Sequence, residues 1–177
     1  AAAGFTLHGG IFEGNDGSLY GSLPSGGPLG GGVAFRLDLL TPYQEWKRQN
    51  LGDAQAPDTA DPDRDGLPNL LEYALGRTIG NDTPWDLPAM ISDSAGIGFG
   101  IILPQANPKD ILYQIQESSD LQTWSTIATK SGQEAWSGPR PIEEFPVDDG
   151  RSLYVVRPSA MTPNQFFRLH VSVLDVN

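Results

Sequence analysis

The chain has 177 residues, room for one ordinary domain or two small ones, and its Gly 21 and Pro 15 favour short strands joined by turns over long helices. Lys+Arg 11 against Asp+Glu 22 gives a net charge of −11, which disfavours phosphate backbones and anionic lipid surfaces as partners. Cysteine is absent, which excludes disulfides, thiol nucleophiles and cysteine metal sites. With only His8 and His170, a zinc site would need carboxylates, and a histidine-based triad has few ways to form. The longest apolar runs, such as Ile101-Ile102-Leu103, are too short for a spanning helix. The start Ala1-Ala2-Ala3, without Met, leads one to expect a processed chain whose export signal is gone.

Residues 1–40 form a Gly-rich segment. Phe5 and Leu7, then Val33, Phe35, Leu37 and Leu39 alternate with polar neighbours, with Arg36 and Asp38 on the opposite face. That period predicts strands with one buried face, and Asn15-Asp16-Gly17 predicts a hairpin turn.

Residues 41–80 form a helical element. Thr41-Pro42 is a start signal, because proline at the first helical position has no N–H to leave unpaired. Tyr43 and Trp46 share a face, Lys47 and Arg48 sit where positive charge suits the helix dipole, and Gly52 ends the helix. A second helix is predicted over Pro68–Leu75, burying Leu70, Leu71 and Leu75, with Gly76 as its left-handed stop.

Residues 81–177 return to strands. Ile97, Phe99, Ile101 and Leu103 alternate with Gly98, Gly100 and Ile102. Ile111, Tyr113 and Ile115 alternate with Leu112, Gln114 and Gln116. Leu153–Arg157 and the Phe167, Leu169, Val171, Val173 series complete the pattern. Short strands without intervening helices predict a mainly β protein with a fibronectin- or immunoglobulin-like antiparallel sandwich.

One motif carries strong chemistry. Asp61-Pro62-Asp63-Arg64-Asp65-Gly66-Leu67-Pro68-Asn69-Leu70-Leu71-Glu72 fits D-x-[DN]-x-[DN]-G-x5-E at every specified position. Calcium takes six to eight hard oxygens at roughly 2.3–2.6 Å. Asp61, Asp63 and Asp65 supply one each, Leu67 its carbonyl, Asn69 an oxygen directly or through water, and Glu72 a bidentate clamp. Four carboxylates offset only by Arg64 repel one another unless a cation holds them. Pro68, lacking an N–H, cannot make the small β-bridge that joins paired EF-hands. The loop is therefore expected to be solitary, a Ca2+ staple between helices and strands rather than half of a sensor.

That stretch, continued by Tyr73-Ala74-Leu75-Gly76 and preceded by the Trp46 helix, resembles a C-terminal module of large secreted proteins of Verrucomicrobia and related bacteria, with a loop of the dockerin or thrombospondin-repeat kind. Further carriers are Tyr113-Gln114-Ile115-Gln116-Glu117-Ser118-Ser119-Asp120-Leu121-Gln122-Thr123-Trp124 and Gln165-Phe166-Phe167-Arg168-Leu169-His170-Val171. The resemblance covers about residues 41–174; Arg64 stands where that module usually has Gly. Residues 4–38 separately resemble one GloVer-type tandem repeat, through Asn15-Asp16-Gly17-Ser18-Leu19-Tyr20-Gly21-Ser22, Gly26-Gly27, Gly30-Gly31-Gly32 and Val33-Ala34-Phe35-Arg36-Leu37. Neither resemblance implies catalysis. Both imply export, extracellular or cell-surface residence, and a role in attachment or assembly beside neighbouring domains of a longer chain.

Other candidates are weaker. Glu143-Glu144 and Asp148-Asp149 are adjacent pairs whose members point to opposite faces of a strand, His8 and His170 are isolated, and Ser118-Ser119-Asp120 has no nearby histidine. Among Trp46, Trp85, Trp124 and Trp136, the last is the best candidate for stacking on a sugar, while Trp46 and Trp124 are expected in the core. The expectation is a non-enzymatic, calcium-stabilised, secreted structural module. It is expected to serve cell-surface anchoring or extracellular assembly, with the N-terminus (Ala1–Leu7) and the Gly-rich repeat adding to a neighbour's open sheet edge by β-strand addition to make a filament or surface layer. Glycan binding, as an accessory module of a secreted enzyme, is the alternative.

Overall fold

A computed structural model describes residues 10–15, 18–80, 87–147, 150–158 and 164–174. Ala1–Leu7, His8, the centre of the Asn15-Asp16-Gly17 turn, Trp85 and Asp148-Asp149 lie outside the described residues. The protein is mainly β, with antiparallel sheets and, among the described residues, two helices. It divides into two compact units, residues 1–41 and residues 42–176.

The first unit is a three-stranded antiparallel sheet in the order β1 (Phe12–Glu13), β2 (Leu19–Leu23), β3 (Val33–Leu37). β1 and β2 form the predicted hairpin, with Phe12 opposite Tyr20 and the two rings stacked at 5.7 Å. Gly21 lies opposite Phe35, and any side chain there would overlap the Phe35 ring. The expected buried face is largely open: Leu37 and Leu39 are exposed and only Phe35 is half-buried. A single layer gives alternation in β3 no second layer to bury against within the unit's described residues.

The second unit begins with α1 (Pro42–Leu51) and α2 (Asn69–Leu75). Gly52, at φ 76°, ends α1 and donates its N–H to the Arg48 carbonyl at 3.1 Å. Tyr43 is buried and stacks on Tyr73 at 4.9 Å, and Trp46 packs against both rings at centroid distances of 6.1 and 5.5 Å. Lys47 does not project along the dipole. It is buried, donates to the Ala56 carbonyl (2.9 Å) and Asp58 (3.1 Å), and lies over the Tyr43 ring. The carbonyl and the carboxylate outcompete water for an ammonium whose stem covers apolar surface. Gly76 caps α2 in the left-handed region (φ 65°, ψ 32°), where a Cβ would also press on Pro104 at 2.9 Å.

Two sheets follow. One has the order β10–β6–β7, from β6 (Ile111–Ser118), β7 (Ser125–Ser131) and β10 (Phe166–Val173). The other runs β4–β5–β9–β8, from β4 (Ala89–Asp93), β5 (Gly96–Pro104), β8 (Ile142–Val147) and β9 (Arg151–Val156). Phe99, Ile101 and Leu103 of one sheet and Ile111, Tyr113 and Ile115 of the other join Tyr43, Tyr73, Ala74 and Leu75 in one hydrophobic cluster. The helical stretch that the sequence sets apart therefore shares its core with the strands. Phe99 stacks on Phe167 at 5.8 Å. Ile97 is exposed because β9 reaches β5 only as far as Phe99, leaving Ile97 in the β4–β5 hairpin beyond the core.

Two local devices fix the frame. The Ser118–Trp124 stretch is a side-chain-built turn: the Ser118 hydroxyl accepts from the Leu121 N–H (2.9 Å), and Asp120 Oδ1 accepts from Gln122 (2.8 Å) and Thr123 (2.7 Å). Leu121 can then hold φ 62°. Asp110, 1% exposed, accepts from the Tyr43 N–H in the first turn of α1 (2.9 Å) and from the Tyr73 hydroxyl of α2 (2.7 Å). The Tyr113 hydroxyl donates to the Ala74 carbonyl at 2.6 Å.

Replacing Asp110 with Ala strands two buried donors. A loss of about 2–4 kcal/mol follows, read as a lower urea midpoint at unchanged slope; an unchanged midpoint would show that the clamp contributes nothing.

Candidate metal centre

The acidic loop lies between the two helices, and its backbone follows from its sequence. Asp61 takes the Arg64 N–H on one oxygen (2.8 Å) and the Gly66 N–H on the other (3.0 Å). Asp65 Oδ1 accepts from the Leu67 N–H at 2.7 Å, and Asp63 accepts from Asp65 and from the Gly80 N–H. Gly66 is at φ 92°, and Arg64, where the resembled module has Gly, is at φ 65°. Both are left-handed turns that glycine takes at least cost, so the Arg64 position carries strain. Asn69 donates its backbone N–H to the Ala60 carbonyl (2.9 Å) and its Nδ2 to the Pro57 carbonyl (2.8 Å), tying the loop's exit to its entrance.

Of the residues singled out, the fold brings Asp61, Asp63 and Asp65 together, with one carboxylate oxygen of each within 4.8 Å of the others. Glu72, in the first turn of α2, is 0% exposed, and neither of its carboxylate oxygens has a hydrogen-bond partner. Asn69 is 1% exposed with Oδ1 likewise unpartnered, and Leu67 is buried. A buried carboxylate without a donor costs several kcal/mol, and three more carboxylates sharpen that cost. Burial, then the charges of Asp63, Asp65 and Asp61, push the Glu72 carboxyl up to about 7, against a smaller opposing pull from Arg77. Asp63 is lowered, chiefly by the Gly80 N–H. Hard oxygens in excess, with the deepest left unpaired, are what a divalent cation would satisfy, and the cluster could hold a metal ion.

The remaining candidates fall elsewhere. Trp136 is half-buried, packed against the core and tilted on Tyr154 at 5.8 Å, and its indole N–H has no acceptor. Trp124 carries the Arg168 guanidinium on its ring at 4.1 Å. His170 is exposed on β10 opposite Gln114. Glu143 pairs with Arg157 (2.8 Å) and Glu144 accepts from the Tyr154 hydroxyl (3.1 Å), so the two adjacent carboxylates have separate partners. Asp110 was not marked by the sequence, since nothing in Lys109-Asp110-Ile111 signals partners on two distant helices. Among the described residues, no helix is long and apolar enough to cross a membrane.

The chain matches no family model, no curated protein and no solved structure, so the site is read from its own geometry.

In chelator, folded Glu72 keeps its proton up to about pH 7, against 4.5 as its ordinary value. Between those values the folded state binds more protons than the unfolded one, so stability falls as pH rises from 4.5 to about 7. Carboxylates held low, such as Asp120 at about 2, act below that window with the opposite sign. Urea midpoints in chelator across the window check this. Glu72→Gln removes the fall, and a profile that rises or stays flat in the parent chain contradicts it.

Proposed function

We propose that the loop binds Ca2+ through Asp61, Asp63, Asp65, the Leu67 carbonyl, Asn69 and Glu72, and that the ion stiffens a non-enzymatic structural module of a secreted or cell-surface protein. The observation that carries this reading is Glu72, fully buried at the foot of α2 with both oxygens unpaired beside three clustered aspartates. Oxygen-only donors favour a hard cation, and a twelve-residue loop with a glycine at its sixth position suits the larger radius of calcium over magnesium. The resemblance of the loop and the strands after it to a secreted module supports the same reading.

The two sheets of the second unit are, on this reading, the layers of a fibronectin- or immunoglobulin-like sandwich. The shared cluster of Phe99, Ile101, Leu103, Ile111, Tyr113 and Ile115 supports it. Attachment or assembly follows from the first unit. Its β3 strand pairs only with β2 among the described residues, and an open edge accepts a neighbour's strand. A chain of such contacts makes a filament or surface layer, each subunit held rigid by its ion.

Calorimetric titration of chelator-stripped protein with calcium tests the reading. One site is expected, and saturation near a thousandfold above Kd stabilises the fold by about 4 kcal/mol, seen as a higher Tm. Glu72→Gln and Asp63→Asn lose the heat and the Tm response together. Identical melting curves in excess chelator and in millimolar calcium contradict the proposal.

A further inference from the structure

A cleft of about 550 Å³ opens on the second unit, lined among others by Lys130, Trp136, Arg140, Ile142, Glu144 and Tyr154. Its size lies within the roughly 300–1,000 Å³ of small-molecule sites. Trp136, half-buried, brings aromatic surface to it and is tilted at 55° on the buried Tyr154, centroids 5.8 Å apart, and Pro139, Pro141 and Ile142 extend the apolar lining. The polar groups are few and fixed. Lys130, 6% exposed, donates to the Glu134 carbonyl. Burial pulls its pKa down while Glu144 and Glu134 oppose that. Glu144, exposed, accepts one bond from the Tyr154 hydroxyl at 3.1 Å. Arg140 places Nη2 on both oxygens of Glu117 (2.7 and 2.6 Å) and Nη1 on the Arg157 carbonyl (3.0 Å).

Charge and hydrogen bonding narrow the ligand class. The Arg140 charge is taken up by Glu117, and Lys130 and Glu144 offset each other, so the cleft offers little net charge. A chain of net charge −11 repels an anion on approach. A wholly apolar guest would strip water from Lys130 and Glu144 and return no hydrogen bonds. A pyranose meets both demands: one face of axial C–H groups for an aromatic ring, and an equatorial rim of hydroxyls for a carboxylate and an ammonium. Hydrogen bonds to charged groups are the stronger kind, and Trp136, held in place by the buried Tyr154, supplies rigid contact area with little entropy to lose. We propose that this cleft binds a short stretch of a neutral polysaccharide, with the half-buried Trp136 ring as the apolar platform, backed by the buried Tyr154, and with Glu144 at the rim and Lys130 on the floor as the hydroxyl-binding groups. The site stands apart from the acidic loop and does not depend on the metal.

Amide chemical-shift mapping of the full chain in calcium tests this, with cello-, xylo-, manno- and chito-oligosaccharides as probes. At least one series should shift the amides of Trp136, Ser137, Ile142 and Glu144. Glu144→Gln keeps an acceptor for the Tyr154 hydroxyl and removes the charge, and should weaken that binding about tenfold while the chain stays folded, checked by its urea midpoint. Trp136→Phe keeps a ring near Tyr154 and should weaken binding without unfolding the chain. The proposal is overturned if no neutral series shifts these amides at millimolar concentration, or if binding survives both substitutions undiminished. It is equally overturned if an oligogalacturonate or a proline-rich peptide moves them and neutral sugars do not.

Discussion

A single buried carboxylate sets the terms for the rest of the second unit. Glu72 has no exposed surface and no donor for either oxygen, and it sits in α2 directly before Tyr73, Ala74 and Leu75, which carry the helix into the shared core. Those neighbours fix its direction. Turning it out to solvent would pull three core residues with it, so the charge must be met in place, by a proton or by a cation. With Asp61, Asp63 and Asp65 beside it, a cation would be the more favourable answer at neutral pH, because each added negative charge raises the cost of leaving the site unneutralised.

Asp110 does the complementary work from the strand side. Lying just before β6, it receives one donor from each helix, and the β6 hydroxyl of Tyr113 reaches back to the Ala74 carbonyl. The helical pair is thus held by its loop at one end and by the strands at the other. Neither anchor relies on helix propensity, which is weak in segments this short. A change at the acidic loop would be transmitted through α2 to Tyr73 and from there to the Asp110 clamp, which would give a bound ion a physical route to the rigidity of the strands.

Much of this was legible in the sequence because it depends on local spacing. The loop pattern needs only twelve consecutive residues, and Gly52 and Gly76 end their helices where their position after the last apolar residue says they should. The β6 and β10 strands show clean alternation because each buries one face. The edge strands were less readable: among the described residues β8, which contains Pro146, pairs only with β9 and β4 only with β5, and both leave most of their side chains exposed, so neither carries a regular apolar face. Long-range partners left no trace. The Asp110 clamp joins groups 67 and 37 positions apart in the chain, and the inward turn of Lys47 and the meeting of Glu144 with Tyr154 depend on how a loop or hairpin folds back rather than on any residue pattern. The openness of β3 was hidden for the converse reason, since alternation records a capacity for burial and not the layer that completes it.

The central claim is that a divalent cation sits on Glu72 and the three aspartates. An anomalous difference map from crystals grown in calcium addresses it most directly. The account predicts one strong peak ringed by oxygens of Asp61, Asp63, Asp65 and Glu72 and by the Leu67 carbonyl, at the roughly 2.3–2.6 Å that calcium takes. Ordinary water density there, with Glu72 bonded to protein donors instead, would contradict it.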